Sequence, residues 1–283
     1  MGKVQWEIPG ETMLKEEIAE VDQVNEKLDL LGLSAMAPSP HLVSRSDLPV
    51  SHPSKLRRMI EHTLLKPEAT PSEIEELCLE AKNYGFYGVC VQPIYVGMAS
   101  RILKDTPCAV ITVLGFPLGA TLSSIKAAEA RQVIQLGARE VDMVIPVGLL
   151  KGGDYAAVYE HISSVVATSP GKPVKVIIET ALLSFEEKIA ASLIAVRAGA
   201  SFVKTSTGFA KGGATVEDVA LLRRVVPDYV GIKAAGGIRD LKTALAMVEN
   251  GADRLGCSSS ISIIREALGN DPKTESVRAR QGG

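Results

Sequence analysis

The chain has 283 residues, enough for one large α/β domain or two small ones and for a substantial core. Its 31 basic and 33 acidic residues give a formal charge of −2, so no global positive field favours nucleic acid or an acidic membrane. Cys78, Cys90, Cys108 and Cys257 are scattered without a CxxC pair, and no apolar run is long enough to span a bilayer, which argues against a disulfide framework, a zinc site and a membrane protein.

At the N-terminus there is no signal-peptide core, and Trp6 breaks the myristoylation motif that Gly2 would open, so the expected location is the cytoplasm. Residues 1–53 form an extension with one amphipathic helix, whose apolar stripe is read as Leu14, Ile18, Val21, Leu28 and Leu31. A Pro/Ser-rich stretch from Ala37 to Pro53 follows and reads as a linker. Such a stripe packs most simply on the outside of the main domain; the alternative is a homo-oligomeric contact.

From residue 54 the chain alternates between apolar runs and helical patterns. The runs fall at 58–64, 87–92, 108–116, 140–147, 174–180, 202–207, 229–235 and 254–258. Gly85, Gly137, Gly199 and Gly251 each stand where a helix ends in a left-handed residue. Thr70-Pro71-Ser72-Glu73, Ser184-Phe185-Glu186-Glu187 and Thr215-Val216-Glu217-Asp218 are helix starts. Continuously apolar strands are expected where a parallel sheet is covered on both faces. Eight such strands alternating with helices predict an α/β fold, a (β/α)8 TIM barrel over 54–270, with a polar tail at 271–283. A doubly wound open sheet is the alternative, but no GxGxxG follows the first strand.

The chemistry centres on Lys204, in Phe202-Val203-Lys204-Thr205-Ser206-Thr207-Gly208, and Lys233, in Gly231-Ile232-Lys233-Ala234-Ala235-Gly236-Gly237. Each sits late in an apolar run, at the strand ends where a barrel places its active site. A buried ammonium is costly, and two neighbouring cations depress each other's pKa, which leaves a neutral amine able to attack a carbonyl. Asp142, inside the fourth strand, is a partner for Lys233 and a proton shuttle. Lys175 reads as structural, and Glu179, at the far end of its strand, faces the site without an assigned role. Gly208, Gly236-Gly237 and Gly256 with Ser258-Ser259 follow or end strands six, seven and eight, where bare N–H groups and a helix N-terminus make an anion cradle. Cys90 is read as a buried structural thiol and His62 as a satisfied core histidine. The histidines have no metal-ligand spacing, so no metal and no cofactor are expected.

Taken together, these segments resemble the deoxyribose-phosphate aldolase family. The matching runs are Glu61-His62-Thr63-Leu64-Leu65-Lys66-Pro67, Val89-Cys90-Val91, Gly115-Phe116-Pro117-Leu118-Gly119, Glu140-Val141-Asp142-Met143-Val144, Lys175-Val176-Ile177-Ile178-Glu179-Thr180, the two lysine motifs, Gly236-Gly237-Ile238-Arg239, and Gly256 with Ser258-Ser259. The resemblance runs from about residue 55 to 268 and implies a metal-free class I aldolase on a (β/α)8 barrel, acting on a small phosphosugar. It implies that Lys204 forms the Schiff base, that Lys233 lowers its pKa and that Asp142 relays protons. Gly208, Gly236, Gly237, Gly256, Ser258 and Ser259 match phosphate positions, and Glu61, Thr63, Cys90 and Thr205 fall within or near substrate contacts. Three features depart from the family: Glu61 stands where it usually has Asp, Arg280-Gln281-Gly282-Gly283 lacks the terminal tyrosine of some members, and the N-terminal extension lies outside the match. The rival expectations are another Schiff-base phosphosugar aldolase and a catalytically silent scaffold barrel.

Overall fold

The computed structural model describes residues 15–33, 35 and 51–269. The expected linker at 37–53 falls largely outside the described residues, as do Leu14 and the C-terminal tail. Helices α1 (Lys15–Leu30) and α2 (Pro53–Arg57) precede the sheet. The alternation then runs β1 (Ile60–Leu64), α3 (Pro71–Tyr84), β2 (Gly88–Val91), α4 (Val96–Ile102), β3 (Ala109–Leu114), α5 (Ser123–Gln135) and β4 (Glu140–Val144). It continues with α6 (Val147–Lys151), α7 (Tyr155–Thr168), β5 (Val174–Ile177), α8 (Phe185–Arg197), β6 (Phe202–Lys204), α9 (Val216–Val225), β7 (Gly231–Ala235), α10 (Leu241–Glu249), β8 (Arg254–Cys257) and α11 (Ser260–Gly269). The eight strands pair in parallel, in chain order, and β1 closes on β8. This is the (β/α)8 barrel, not the open sheet.

Local signals build it. Thr70 accepts from the Glu73 N–H while the Glu73 carboxylate accepts from the Thr70 N–H, and Ser184 with Glu187 repeats this capping box. Thr215 caps α9 by accepting from the Asp218 N–H. Gly85 ends α3 at φ 68°, where a side chain would be strained. The strands are shorter than the apolar runs. The run at 140–147 stops at Val144, because Pro146 and the short helix α6 follow, and the run at 58–64 loses its first residues to the turn after α2.

Alternation along each strand divides the apolar residues into two clusters. The larger lies between the strands and the helices and includes Val89, Val141, Val176, Val203 and Ile232. The smaller lines one wall of the barrel interior and contains Leu65, Cys90, Ala109, Ile111 and Val113.

Helix α1 packs on α8, but its buried face differs from the expected stripe. Leu28 of that stripe is buried and Val21 partly so, but Ile18 and Leu31 are each nearly half exposed, and Val24 and Glu17 are buried instead. Two arginines of the barrel set this rotation. Arg224 forms a two-pronged pair with Glu17, and Arg197 donates to Asp29 Oδ1 (2.6 Å), Asn25 Oδ1 (2.9 Å) and the Leu33 carbonyl (3.0 Å). Burying Val24 and Leu28 contributes about 1.5–3 kcal/mol each.

Candidate active site

The barrel interior is unusually ionic. Lys204 and Lys233 are register partners on β6 and β7, so both side chains point inward at one level. Register also brings Asp142 beside Lys175, and Lys233 beside Arg254. One oxygen of Asp142, Oδ2, accepts from Lys233 Nζ at 2.6 Å and from Lys204 Nζ at 2.9 Å. Its other oxygen accepts from Lys175 at 2.8 Å. All four groups are buried.

Beneath this level lies an ionic floor. Lys175 also meets Glu140 Oε2 at 2.6 Å and Glu61 Oε1 at 3.4 Å. Arg254 reaches Glu61 at 3.3 Å and Glu140 at 3.7 Å, its guanidinium stacked 3.3 Å over the Tyr87 ring. Tyr87 donates its hydroxyl hydrogen to Glu140. Glycines make room for these long side chains. A Cβ on Gly256 would lie 3.1 Å from Lys233 Cε, and one on Gly231 would strike the Phe202 ring.

The electrostatics separate the two lysines. Burial, the largest influence on Lys204, lowers its pKa; Asp142 pulls it up and the Lys233 charge pushes it down, and the balance lies below the ordinary lysine value. Burial also opposes the charge on Lys233, but Asp142 and Glu61 outweigh it and hold this lysine above its ordinary range. Lys175 is likewise raised against its burial by Asp142, Glu140 and Glu61. Asp142 is held well below the carboxylate range, its burial overcome by Lys175, Lys204 and Lys233. Three carboxylates, Glu61, Glu140 and Asp142, thus face four bases, Lys175, Lys204, Lys233 and Arg254. Lys204 is the surplus base and the only one of the four whose pKa is lowered.

The remaining sequence candidates fall into three groups. Glu61 is fully buried below the lysines, bonded to Lys233 through Oε2 and to Lys175 and Arg254 through Oε1. Thr63 donates to the Glu61 carbonyl, and the Thr205 hydroxyl is engaged with the backbone of Ala235. Cys90 is buried near the lysines, and burial pushes its thiol up to about 11, so it stays protonated at neutral pH. Its sulfur lies within 4.8 Å of ligand atoms of Glu61 and Asp142, but both carboxylates are already paired with lysine ammonium groups that compete with a metal cation.

At the mouth, Gly208, Gly236 and Gly237 have φ of 84°, 89° and 81°, and the loops after β6 and β7 pack glycine on glycine: a Cβ on Gly236 would lie 3.0 Å from the Gly213 Cα. Ser258 is exposed and Ser259 half-buried, immediately before the first turn of α11. Gly256 lies within β8, a step deeper, beside Lys233. His62 is inside β1, hydrogen-bonded to Glu80 and Ser260. Glu179, at φ 59°, accepts from the Thr207 N–H and hydroxyl, and Thr207 in turn accepts from the Phe209 N–H. It thereby shapes the loop that carries Gly208. Phe209 meets Phe116 edge to face, 5.1 Å between centroids, joining the loops after β3 and β6 across the mouth. A cavity of about 420 Å³ opens over β1–β3, with Val113, Phe116, Gln92 and Lys66 on its wall. None of the lysine–carboxylate cluster lines this cavity.

Sequence reading missed Glu140, Arg254 and Tyr87. Glu140 and Asp142 stand two apart on one strand, so alternation alone puts both on the inner face. Nothing local marks Arg254 as the partner of Glu61, 193 residues away.

A parallel eight-stranded barrel with a low-pKa lysine, a second lysine and a shared carboxylate inside its C-terminal mouth belongs to the class of barrel enzymes equipped for carbonyl chemistry. Residues 55–261 match the model of the DeoC/LacD family aldolases. The chain is 53% identical over 213 residues to the deoxyribose-phosphate aldolase of Natranaerobius thermophilus, covering 75% of this chain and 97% of that one. It is 55% identical over 210 residues to that of Thermotoga petrophila, covering 74% and 85%. The tetrameric deoxyribose phosphate aldolase structure from Aeropyrum pernix superposes with a TM-score of 0.71 at 32% identity, over 87% of this chain and 96% of that one. The chain belongs to the DeoC/LacD aldolase family; it is an aldolase, a carbon–carbon lyase.

Proposed function

We propose that this chain reversibly cleaves 2-deoxy-D-ribose 5-phosphate to acetaldehyde and D-glyceraldehyde 3-phosphate through a Schiff base on Lys204. The observation that carries this reading is the placement of Lys204. It is the surplus base of a buried cluster, its amine 2.9 Å from the Asp142 oxygen that also binds Lys233. The two relatives above that are more than half identical over their aligned 213 and 210 residues carry deoxyribose phosphate in their names.

The neutral amine of Lys204 adds to the C1 aldehyde of the open-chain sugar. The Asp142–Lys233 pair supplies the proton with which the carbinolamine hydroxyl leaves as water, forming an iminium. Loss of the C3 hydroxyl proton turns C3 into an aldehyde, the C2–C3 bond breaks, and its electrons flow into the iminium to give a two-carbon enamine. Protonation at C2 and hydrolysis release acetaldehyde and restore the lysine. These steps balance with the chain's own side chains and water. The substrate phosphate is assigned to the loops of Gly208 and Gly236-Gly237 and to Ser258-Ser259 at the start of α11, where N–H groups and the helix dipole favour an anion.

In this reading residues 54–270 are the catalytic barrel and 1–53 an extension whose helix α1 is clasped by Arg197 and Arg224. A homo-oligomer is the expectation raised by the tetrameric relative. No helix among the described residues is long and apolar enough to cross a membrane. The test is borohydride trapping with acetaldehyde and mass-spectrometric location of the adduct, alongside product analysis with deoxyribose 5-phosphate. An adduct on Lys204 and formation of both aldehydes are expected; an adduct elsewhere, or no cleavage, overturns the assignment.

A further inference from the structure

The floor of the barrel touches neither the mouth nor the Lys204 amine, yet it is built from ions. Glu140 and Arg254 lie one ion pair below the reacting level, and among the described residues their ion pairs reach it through Lys175 and Glu61. Burying such charges is costly unless each is answered, and here the answers form a closed circuit. Glu140 holds Lys175 at 2.6 Å, and Lys175 holds Asp142 at 2.8 Å. Arg254 holds Glu61 at 3.3 Å, and Glu61 holds Lys233. Each arm therefore ends on a group that touches Lys204 or its shared carboxylate.

We propose that Glu140 and Arg254 are positioning residues of the reaction, whose opposite charges balance the buried circuit and so leave Lys204, among the described residues, as the one base of the four that meets a single carboxylate. This rests on the reading of Lys204 as the reacting amine. A change of one unit charge in a poorly solvated interior is felt several ångströms away, because little water enters to screen it. Removing the Glu140 charge makes the circuit more positive and disfavours the proton on Lys204. Removing the Arg254 charge makes it more negative and favours that proton. The other groups facing Lys204 are Asp142 from β4, Lys233 from β7 and Cys90 from β2. Tyr87, on the floor, is bonded to Glu140 and carries no charge at neutral pH, because burial raises its pKa. The directions of the pKa shifts agree: the carboxylates raise Lys175 and Arg254 despite burial, while Lys204 lies below its ordinary value.

The experiment is the pH dependence of borohydride trapping of acetaldehyde at Lys204, compared among wild type, Glu140→Gln, Arg254→Met, Arg254→Lys and the Glu140→Gln/Arg254→Met double variant. The trapping midpoint should move to lower pH in Glu140→Gln and to higher pH in Arg254→Met, each by on the order of one pH unit. It should return towards wild type in the double variant. Arg254→Lys, which keeps the charge but loses the planar stack on Tyr87, should hold the midpoint, whereas a purely structural arginine would fail in both arginine variants alike. Midpoints that shift the same way, or that stay in place while trapping persists, overturn the proposal. If a variant does not fold, the opposite-charge partner still gives a signed shift against wild type. Wild type that is not trapped at Lys204 at any pH would instead overturn the amine assignment itself, and the inference with it.

Discussion

Lys204 and Lys233 donate to the same oxygen of Asp142, at 2.9 and 2.6 Å, although their own pKa values are displaced in opposite directions. The difference lies in the second contact. Lys233 also has Glu61, so its ammonium is held by two carboxylates. Lys204 has Asp142 alone among the described residues and shares it. One lysine is thereby kept as a cation and proton donor, and the other is made the easier to deprotonate.

Replacing the nucleophile tests this division directly. Lys204→Arg keeps a cation against Asp142 but cannot offer a neutral amine, since guanidinium does not deprotonate. The expected outcome is loss of kcat by about 10³-fold or more with an unchanged circular dichroism spectrum. Near-normal turnover would exclude the mechanism.

For Lys233→Leu, the sign follows from the same circuit. Loss of the Lys233 ammonium removes a repulsion from Lys204 and leaves Glu61 and Asp142 with less positive charge to answer them. The Lys204 pKa should rise, so trapping at pH 7 falls about tenfold for each unit of rise and recovers in alkali. Burial remains the larger influence on Lys204, so the midpoint should stop short of an ordinary lysine's value of about 10.4. Because the relay is also lost, kcat should stay low by about 10²–10⁴-fold at every pH. An unmoved trapping profile would leave burial as the whole cause.

Charge placed at the mouth should separate phosphate from sugar. Ser258 is exposed just ahead of α11, so Ser258→Asp should fold normally and repel a dianion. The KM for deoxyribose 5-phosphate should rise by about tenfold or more, while activity on unphosphorylated deoxyribose stays within about twofold. Equal losses on both would move the anion site elsewhere.

A stability prediction concerns Lys126, outside the barrel wall. Its buried Nζ donates to the Val144 carbonyl at 2.7 Å and lies 3.2 Å from His161 Nδ1, tying α5 and α7 to the end of β4. Burial lowers its pKa to about 8, against about 10.4 when unfolded. Between those values the unfolded chain binds more protons than the folded one, so stability rises with pH. Wild type should gain up to roughly 3 kcal/mol over Lys126→Met between pH 7 and 10.5, measured by denaturant unfolding. A constant difference would mean that Lys126 titrates normally.

Arg197 tests how the extension is held. Arg197→Met removes the bonds to Asp29, Asn25 and the Leu33 carbonyl and leaves an apolar stem. Stability should fall by about 1–3 kcal/mol while kcat is unchanged, since the site lies inside the barrel. Loss of activity in a folded variant would give α1 a catalytic part.

Local order along the chain was enough to establish the rhythm of eight strands and their helices, the capping boxes at Thr70 and Ser184, and the placing of Lys204, Lys233 and Asp142 at strand level. Those signals act within a few residues, through caps, periodicity and the left-handed tolerance of glycine. Tertiary structure decided the rest. Closing β1 against β8 puts Glu61 within reach of Arg254 and Lys233, beneath the lysines rather than at the mouth. Arg197 and Arg224 turn α1 to bury Glu17 and Val24 beside the expected Leu28, instead of Ile18 and Leu31. In both cases the deciding partner lies more than 150 residues away in the chain, and a buried charge takes its meaning from whichever groups the closed barrel sets against it.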